Sequence, residues 1–280
     1  MKFGVREICD VVFKANQAVT IGGTTFRKGQ PVLYIDSAKT SNLEGSATTV
    51  YATGGRGNSK LIAWEGEKSL TFTVEDALLS PIGFAVLSGA GLFKGKESSS
   101  FKVHCTAVAT VETGGVITLE DNVADNAPVF VAVYEDGSIG DIIENLSVSG
   151  KTLTGATGHV GKQVFVDYYV TKSTEVTELQ IDADNFAGYY YVEASTLFRR
   201  ESDGKDLPAE LVFPRVKIQS NFTFAMASSG DPSTFTFTMD VFPGYTMFDK
   251  NKKVLCAMQV INEAKEIVDE STHDSIVTND

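Results

Sequence analysis

Val216-Lys-Ile-Gln-Ser-Asn-Phe-Thr-Phe-Ala-Met226 and, a few residues on, Thr234-Phe-Thr-Phe-Thr-Met-Asp-Val241 decide the fold. In the first stretch Val216, Ile218, Phe222, Phe224 and Met226 alternate with Lys217, Gln219, Asn221, Thr223 and Ala225. Successive side chains of a strand point to opposite faces, so this period of two predicts a strand with one apolar and one hydrated face. The second stretch repeats the pattern with Phe235, Phe237, Met239 and Val241 against Thr234, Thr236, Thr238 and Asp240. Between them Ser228-Ser-Gly-Asp-Pro-Ser233 is rich in turn formers, so the pair reads as a long antiparallel hairpin.

Working outward, Leu70-Thr-Phe-Thr-Val-Glu75 matches Phe235-Thr-Phe-Thr-Met-Asp240 in pattern, which places a second, equivalent hairpin in the same sheet. Ser80-Pro81 reads as an N-cap with proline at the first helical position. Ile82 to Leu87 then supplies a short apolar helix stopped by Gly89 and Gly91, expected on the dry face of the sheet. From Thr40 to Lys60 there are four glycines and several Ser and Thr residues without a core pattern, and the segment reads as a long loop.

After Phe101 the texture changes to short strands, Val103 to Val111, Val129 to Tyr134 and Val164 to Val170, separated by glycine and Asp-Gly turns. The fold class expected is mainly β, an antiparallel β-sandwich or barrel with a short flanking helix and an inserted small β-sandwich domain. The expected division is residues 1–98 for the first part of the main domain and 99–174 for an inserted Ig-like sandwich. Residues 175–262 return to the main domain, and 263–280 form an acidic C-terminal tail.

The 280 residues carry 24 Lys and Arg against 36 Asp and Glu, a net charge of -12. Tight nucleic-acid binding is disfavoured, because its main term comes from cations neutralising phosphates. An acidic wall past which DNA slides without sticking remains compatible. No apolar run reaches the roughly 20 residues of a membrane span, and Arg6, Glu7 and Asp10 interrupt any signal-peptide core, so the expected compartment is the cytosol. Cys9, Cys105 and Cys256 are odd in number and set among apolar neighbours, the pattern of buried free thiols.

Catalytic and metal signatures are weak throughout. His104, His159 and His273 lack ligand spacing, and the adjacent His104-Cys105 pair would point to opposite faces of a strand. Gly91-Leu-Phe-Lys-Gly95-Lys96-Glu97 has the wrong spacing for a phosphate loop. Asp182-Ala-Asp184-Asn185-Phe186 opens like a calcium loop but places Phe186 and Ala187 where a ligand and a glycine are needed, so a turn before Tyr189 is the better reading. Gly54-Gly-Arg-Gly-Asn58 suits a contact loop better than an anion cradle, and Tyr189-Tyr-Tyr191 a half-buried strand better than a ligand platform. No enzyme activity and no cofactor are expected.

The ribbon Lys217-Ile-Gln-Ser-Asn-Phe-Thr-Phe, with Ser229-Gly-Asp-Pro-Ser-Thr-Phe-Thr-Phe-Thr-Met-Asp240, resembles the C-terminal hairpin of bacteriophage tail tube (major tail) proteins. The segment Tyr51 to Gly91 is also similar to phage structural proteins, while Phe101 to Thr171 falls outside the resemblance. The resemblance implies a structural virion protein, assembled in the host cytoplasm, whose hexameric rings stack into a tube for DNA. Its partners would be copies of itself and other phage tail proteins, with DNA only in passage and no membrane. Lumen-facing positions would be Thr71, Thr73, Glu75, Lys217, Gln219, Asn221, Thr223, Thr234, Thr236, Thr238 and Asp240. The glycine-rich segment, with Glu44, Tyr51, Arg56 and Asn58, would contact the next ring, and the inserted domain would project outward. A capsid decoration or other virion protein, and a carbohydrate-binding β-protein, are the alternatives.

Overall fold

The computed structural model describes residues 2–96, 100–181, 183–223, 226, 228–229 and 233–261. The chain opens with β1 (Phe3–Val5), β2 (Asp10–Ala15), β3 (Val19–Ile21), β4 (Thr24–Phe26) and β5 (Pro31–Ile35). It continues with β6 (Ala38–Gly54), β7 (Ser59–Asp76), α1 (Pro81–Ser88) and β8 (Gly91–Lys94). Next come β9 (Phe101–Thr110), β10 (Val116–Thr118), β11 (Phe130–Glu135), β12 (Ser138–Ile142), β13 (Ser147–Ser149), β14 (Thr152–Thr154) and β15 (Gln163–Lys172). The last strands are β16 (Thr177–Gln180), β17 (Tyr189–Arg200), β18 (Asp206–Ile218), β19 (Phe235–Val241) and β20 (Ala257–Val260). Two compact units result, one from residues up to Leu92 and from Leu179 onward, the other from Phe93–Glu178.

The first unit is organised by a nine-stranded sheet in the order β5-β2-β17-β18-β19-β7-β6, with β1 also on β17 and β20 also on β18. The period-2 pattern explains its one-sidedness. Phe72, Val74, Phe235, Phe237 and Met239 are buried, while the threonines between them are half-buried or exposed. The two look-alike ribbons are direct neighbours, paired antiparallel with Phe237 opposite Val74 and Met239 opposite Phe72. Across the sheet, Val11, Phe13, Val192, Ala194, Leu211 and Phe213 extend the same core.

Over this dry face lies α1, started by Ser80, whose hydroxyl accepts from the Gly83 amide at 3.0 Å, and by Pro81 in the first turn. Val86 and Leu87 enter the core cluster together with Phe235 and Phe237. Gly89 ends the helix at φ 73°, and a Cβ there would stand 2.5 Å from the Phe186 carbonyl carbon, so both conformation and space require glycine.

Two expectations need correction. The strand expected from Val216 to Met226 is instead the end of β18 (Asp206–Ile218), and its pairing with β19 covers only Val216–Ile218 against Val241–Met239. Most of β19 pairs with β7 instead, because the same phenylalanine-threonine alternation there offers it a matching dry face. Phe222 leaves the sheet and meets Phe84 edge-on at 5.1 Å, while Phe224 lies outside the described residues. The segment Thr40 to Lys60 is not a loop but most of the longest hairpin, β6 with β7, in register from Ala38 opposite Asp76 to Gly54 opposite Ser59.

The second unit is a small β-sandwich of a three-stranded sheet, β10-β14-β13, and a four-stranded sheet, β12-β11-β15-β9. Ile117 and Leu153 from one sheet and Val131, Val133, Val164, Val166 and Tyr168 from the other share one core. The acidic tail of residues 263–280 lies outside the described residues.

Candidate functional site

The hydrated face of the first sheet is built from cross-strand rows. Asp240 stands between Thr71 and Lys217, Thr238 opposite Thr73, and Thr236 opposite Glu75. On the far side of β7, Glu44 is opposite Thr71 and Thr40 opposite Glu75. Side-chain hydrogen bonds lock these rows. The Thr40 hydroxyl donates to Glu75 Oε2 at 3.1 Å, the Thr234 hydroxyl donates to Glu75 Oε1, and the Gln219 amide donates to Asp240 Oδ1 at 3.0 Å. The Thr234 and Thr40 hydroxyls, which stabilise the carboxylate, hold Glu75 below the usual glutamate range.

Nine of the eleven positions expected to line a channel therefore lie in or beside one face: Thr71, Thr73, Glu75, Lys217, Gln219, Thr234, Thr236, Thr238 and Asp240. Asn221 and Thr223 do not, because they follow the end of β18 and are exposed off the sheet. On β2 and β17 the same face carries an ion pair between Lys14 and Glu193.

The second feature is the outer part of the β6–β7 hairpin. β7 pairs with β19 only over Thr71–Asp76, and β6 ends the sheet, so beyond the Glu44–Thr71 row the hairpin continues with both outer edges unpaired among the described residues. From Gly45 to Gly54 this arm runs ten residues, about 33 Å at roughly 3.3 Å per residue. Its tip is a tight turn in which Gly55, Gly57 and Asn58 all have positive φ and the Asn58 amide donates to the Gly55 carbonyl at 3.2 Å.

Directly opposed residues share a face, so Val50 with Trp64 and Ala52 with Ile62 form one apolar strip. Val50 is 63% exposed, Ile62 55% and Trp64 54%. The other face carries Tyr51 with the Lys60 ammonium 3.7 Å from its ring centroid. Of the expected contact residues, Glu44 sits at the root of the arm, Tyr51 midway, and Arg56 and Asn58 at the tip. Sequence reasoning missed Val50, Ile62 and Trp64. Their signal was the apolar residues flanking the glycine cluster, in Val50-Tyr51 and Leu61-Ile-Ala-Trp64.

Among the described residues no group of three or more His, Cys, Asp and Glu side chains could hold a metal ion. His104 meets Asp167 at 3.1 Å on the exposed side of β9, and Cys105 faces inward. Cys9 is buried and Cys105 and Cys256 half-buried, all as free thiols, and burial pushes the Cys256 thiol up to about 11. Among the described residues no helix is long and apolar enough to cross a membrane.

An open sheet dry on one side and threonine-rich on the other, running out into an exposed arm, defines a mainly β protein whose distinguishing surfaces are a face and an arm. The chain belongs to the YomU/Tube protein family, whose profile matches residues 10–256 and so spans both units. Membership places it among phage-associated, tube-like structural proteins. No curated protein matches the chain.

Proposed function

We propose that the chain is a phage tail tube protein, six copies of which close into a ring, and that rings stack into the conduit for DNA. The observation that carries this reading is the arm, with two edges unpaired among the described residues and an exposed Val50–Trp64–Ala52–Ile62 strip on a sheet already finished on its dry side. Unpaired edges and apolar strips of this kind are hazards in a monomer and are relieved by neighbours. On this reading the arm reaches the adjacent ring. The rows of Thr71, Thr73, Glu75, Thr236, Thr238 and Asp240 line the channel, where hydroxyls hold water and carboxylates repel phosphate.

The role is architectural and needs no cofactor, and the protein resides in the virion after assembly in the host cytoplasm. Negative-stain imaging of the purified full chain over a concentration series tests it. Hollow sixfold rings or tubes are the expected result. Isolated trimers, or monomers that bind only to capsids, overturn it in favour of a decoration protein.

A further inference from the structure

At one end of β2, β17 and β18 lies a cavity of about 510 Å³ whose charged lining residues are all cations: Lys28, Arg215, Lys250 and Lys253. In a chain of net charge -12 a lining without a single carboxylate is unexpected. None of the four cations forms an ion pair among the described residues. Local contacts hold three of them in place instead. Arg215 stacks over Tyr189 at 4.2 Å, Lys250 donates to the Thr246 carbonyl at 2.7 Å, and Lys253 lies 5.6 Å from the Tyr245 ring. The Met247 amide donates to the Tyr191 hydroxyl at 3.2 Å and pins the loop that carries Lys250 over the strands. Pro214, Pro243, Tyr245 and Met247 give the cavity an apolar floor.

The opposite end of the same three strands is acidic. There Glu7, Asp10 and Glu210 line a second cavity of about 490 Å³ together with Ile261, whose amide donates to the Pro208 carbonyl at 2.8 Å. The sequence after Ile261 carries Glu263, Glu266, Asp269, Glu270, Asp274 and Asp280 against one cation, Lys265, the same sign of charge as these carboxylates. We propose that this C-terminal segment docks in the cation-lined cavity of its own copy. The proposal does not rest on the tube reading.

Reach and chemistry agree. From Pro208 to Arg215 is seven residues of β18, about 23 Å at roughly 3.3 Å per residue. A turn of about four residues after Ile261 followed by about seven extended ones covers that span. It brings Asp274 to the four cations and Glu270 to within about two residues of them, with Ile276 and Val277 available for the apolar floor. Tethering favours the copy's own segment, because a short linker holds it at an effective concentration of about millimolar.

The test is zero-length carbodiimide coupling of the full chain, read by mass spectrometry, on an equal mixture of light and heavy nitrogen-labelled protein. Amide links from Lys28, Lys250 and Lys253 to Glu270 or Asp274 are expected, in same-isotope pairs. The Lys14–Glu193 link reports that the sheet is intact. Arg215→Gln, which neither removes nor adds a coupling site for the reagent, is expected to lower the segment links severalfold while the Lys14–Glu193 link is unchanged. Even coupling to lysines over the whole surface, mixed-isotope links, or an Arg215→Gln variant that couples as before would each overturn the proposal.

Discussion

Trp64→Ala separates assembly from folding. The indole is 54% exposed and stands opposite Val50 on the arm. Taking about 250 Å² for a whole indole side chain, about 135 Å² is open to a partner. At about 25 cal/mol per Å² its burial against a neighbour contributes about 3 kcal/mol, within the range of buried aromatic anchors at interfaces. Since 1.4 kcal/mol is a factor of ten, the concentration at which rings or tubes form should rise by about two orders of magnitude. The isolated chain loses only one cross-strand contact in an exposed arm, about 0.2–1 kcal/mol and local to it. Sedimentation velocity over a concentration series reads the first quantity and urea unfolding the second. Assembly at the wild-type concentration would refute the reasoning, and so would a loss of about 3 kcal/mol in the monomer.

The other expectations concern the sheet and its helix. Phe237→Ala empties a site that is 1% exposed and whose ring lies 5.9 Å from that of Phe13, so it should cost about 3–5 kcal/mol in urea unfolding, whereas Thr236→Ala on the hydrated face should stay within about 0.5. Gly89→Ala forces a side chain into positive φ against the Phe186 backbone and should cost at least about 2 kcal/mol by the same assay. Glu75 is held below the usual glutamate range when folded, so its contribution is present above the ordinary value and is lost as pH falls through the lowered one. Glu75→Gln should flatten the acid limb of stability below about pH 5, followed as the urea midpoint, and an unchanged limb would remove the hydroxyl clamp as its source.

What was legible in the sequence follows from where burial is one-sided. Leu70–Glu75 and Phe235–Asp240 announced themselves because one face of each meets a core and the other meets water, which writes a period of two into the residues. That they pair with each other was not legible, since alternation states a face and not a neighbour. The same gap extended the Val216 strand too far: Phe222 continues the alternation but packs on Phe84 of the helix, and pattern alone cannot tell those fates apart. The arm was invisible as a strand pair because both its faces are exposed, so nothing imposed a period on Gly45–Thr53. The helix, by contrast, was spelled out locally by Ser80, Pro81 and Gly89. The cation-lined cavity draws on residues from Ala15 to Lys253 and could only emerge in three dimensions.

An arm with open edges raises the question of what keeps free copies apart before assembly. Two protections are built into it. Register shifts between Ala47 and Thr49 and between Ala52 and Thr53 break the regular edge that another strand would need. Arg56, Lys60, Glu65, Glu67 and Lys68 place charges along the arm, in a chain whose net charge of -12 makes copies repel one another. Repulsion of this kind acts over about 8 Å at physiological ionic strength, whereas the Val50–Trp64 strip attracts only on contact. Approach is therefore opposed and contact favoured, so the barrier to assembly is electrostatic and its reward apolar. Raising salt should speed the formation of higher assemblies by wild-type protein, and it should do little for Trp64→Ala, in which the contact itself has been weakened. Light scattering after a salt jump distinguishes the two, and equal acceleration of both proteins would show that the strip is not what the charges hold back.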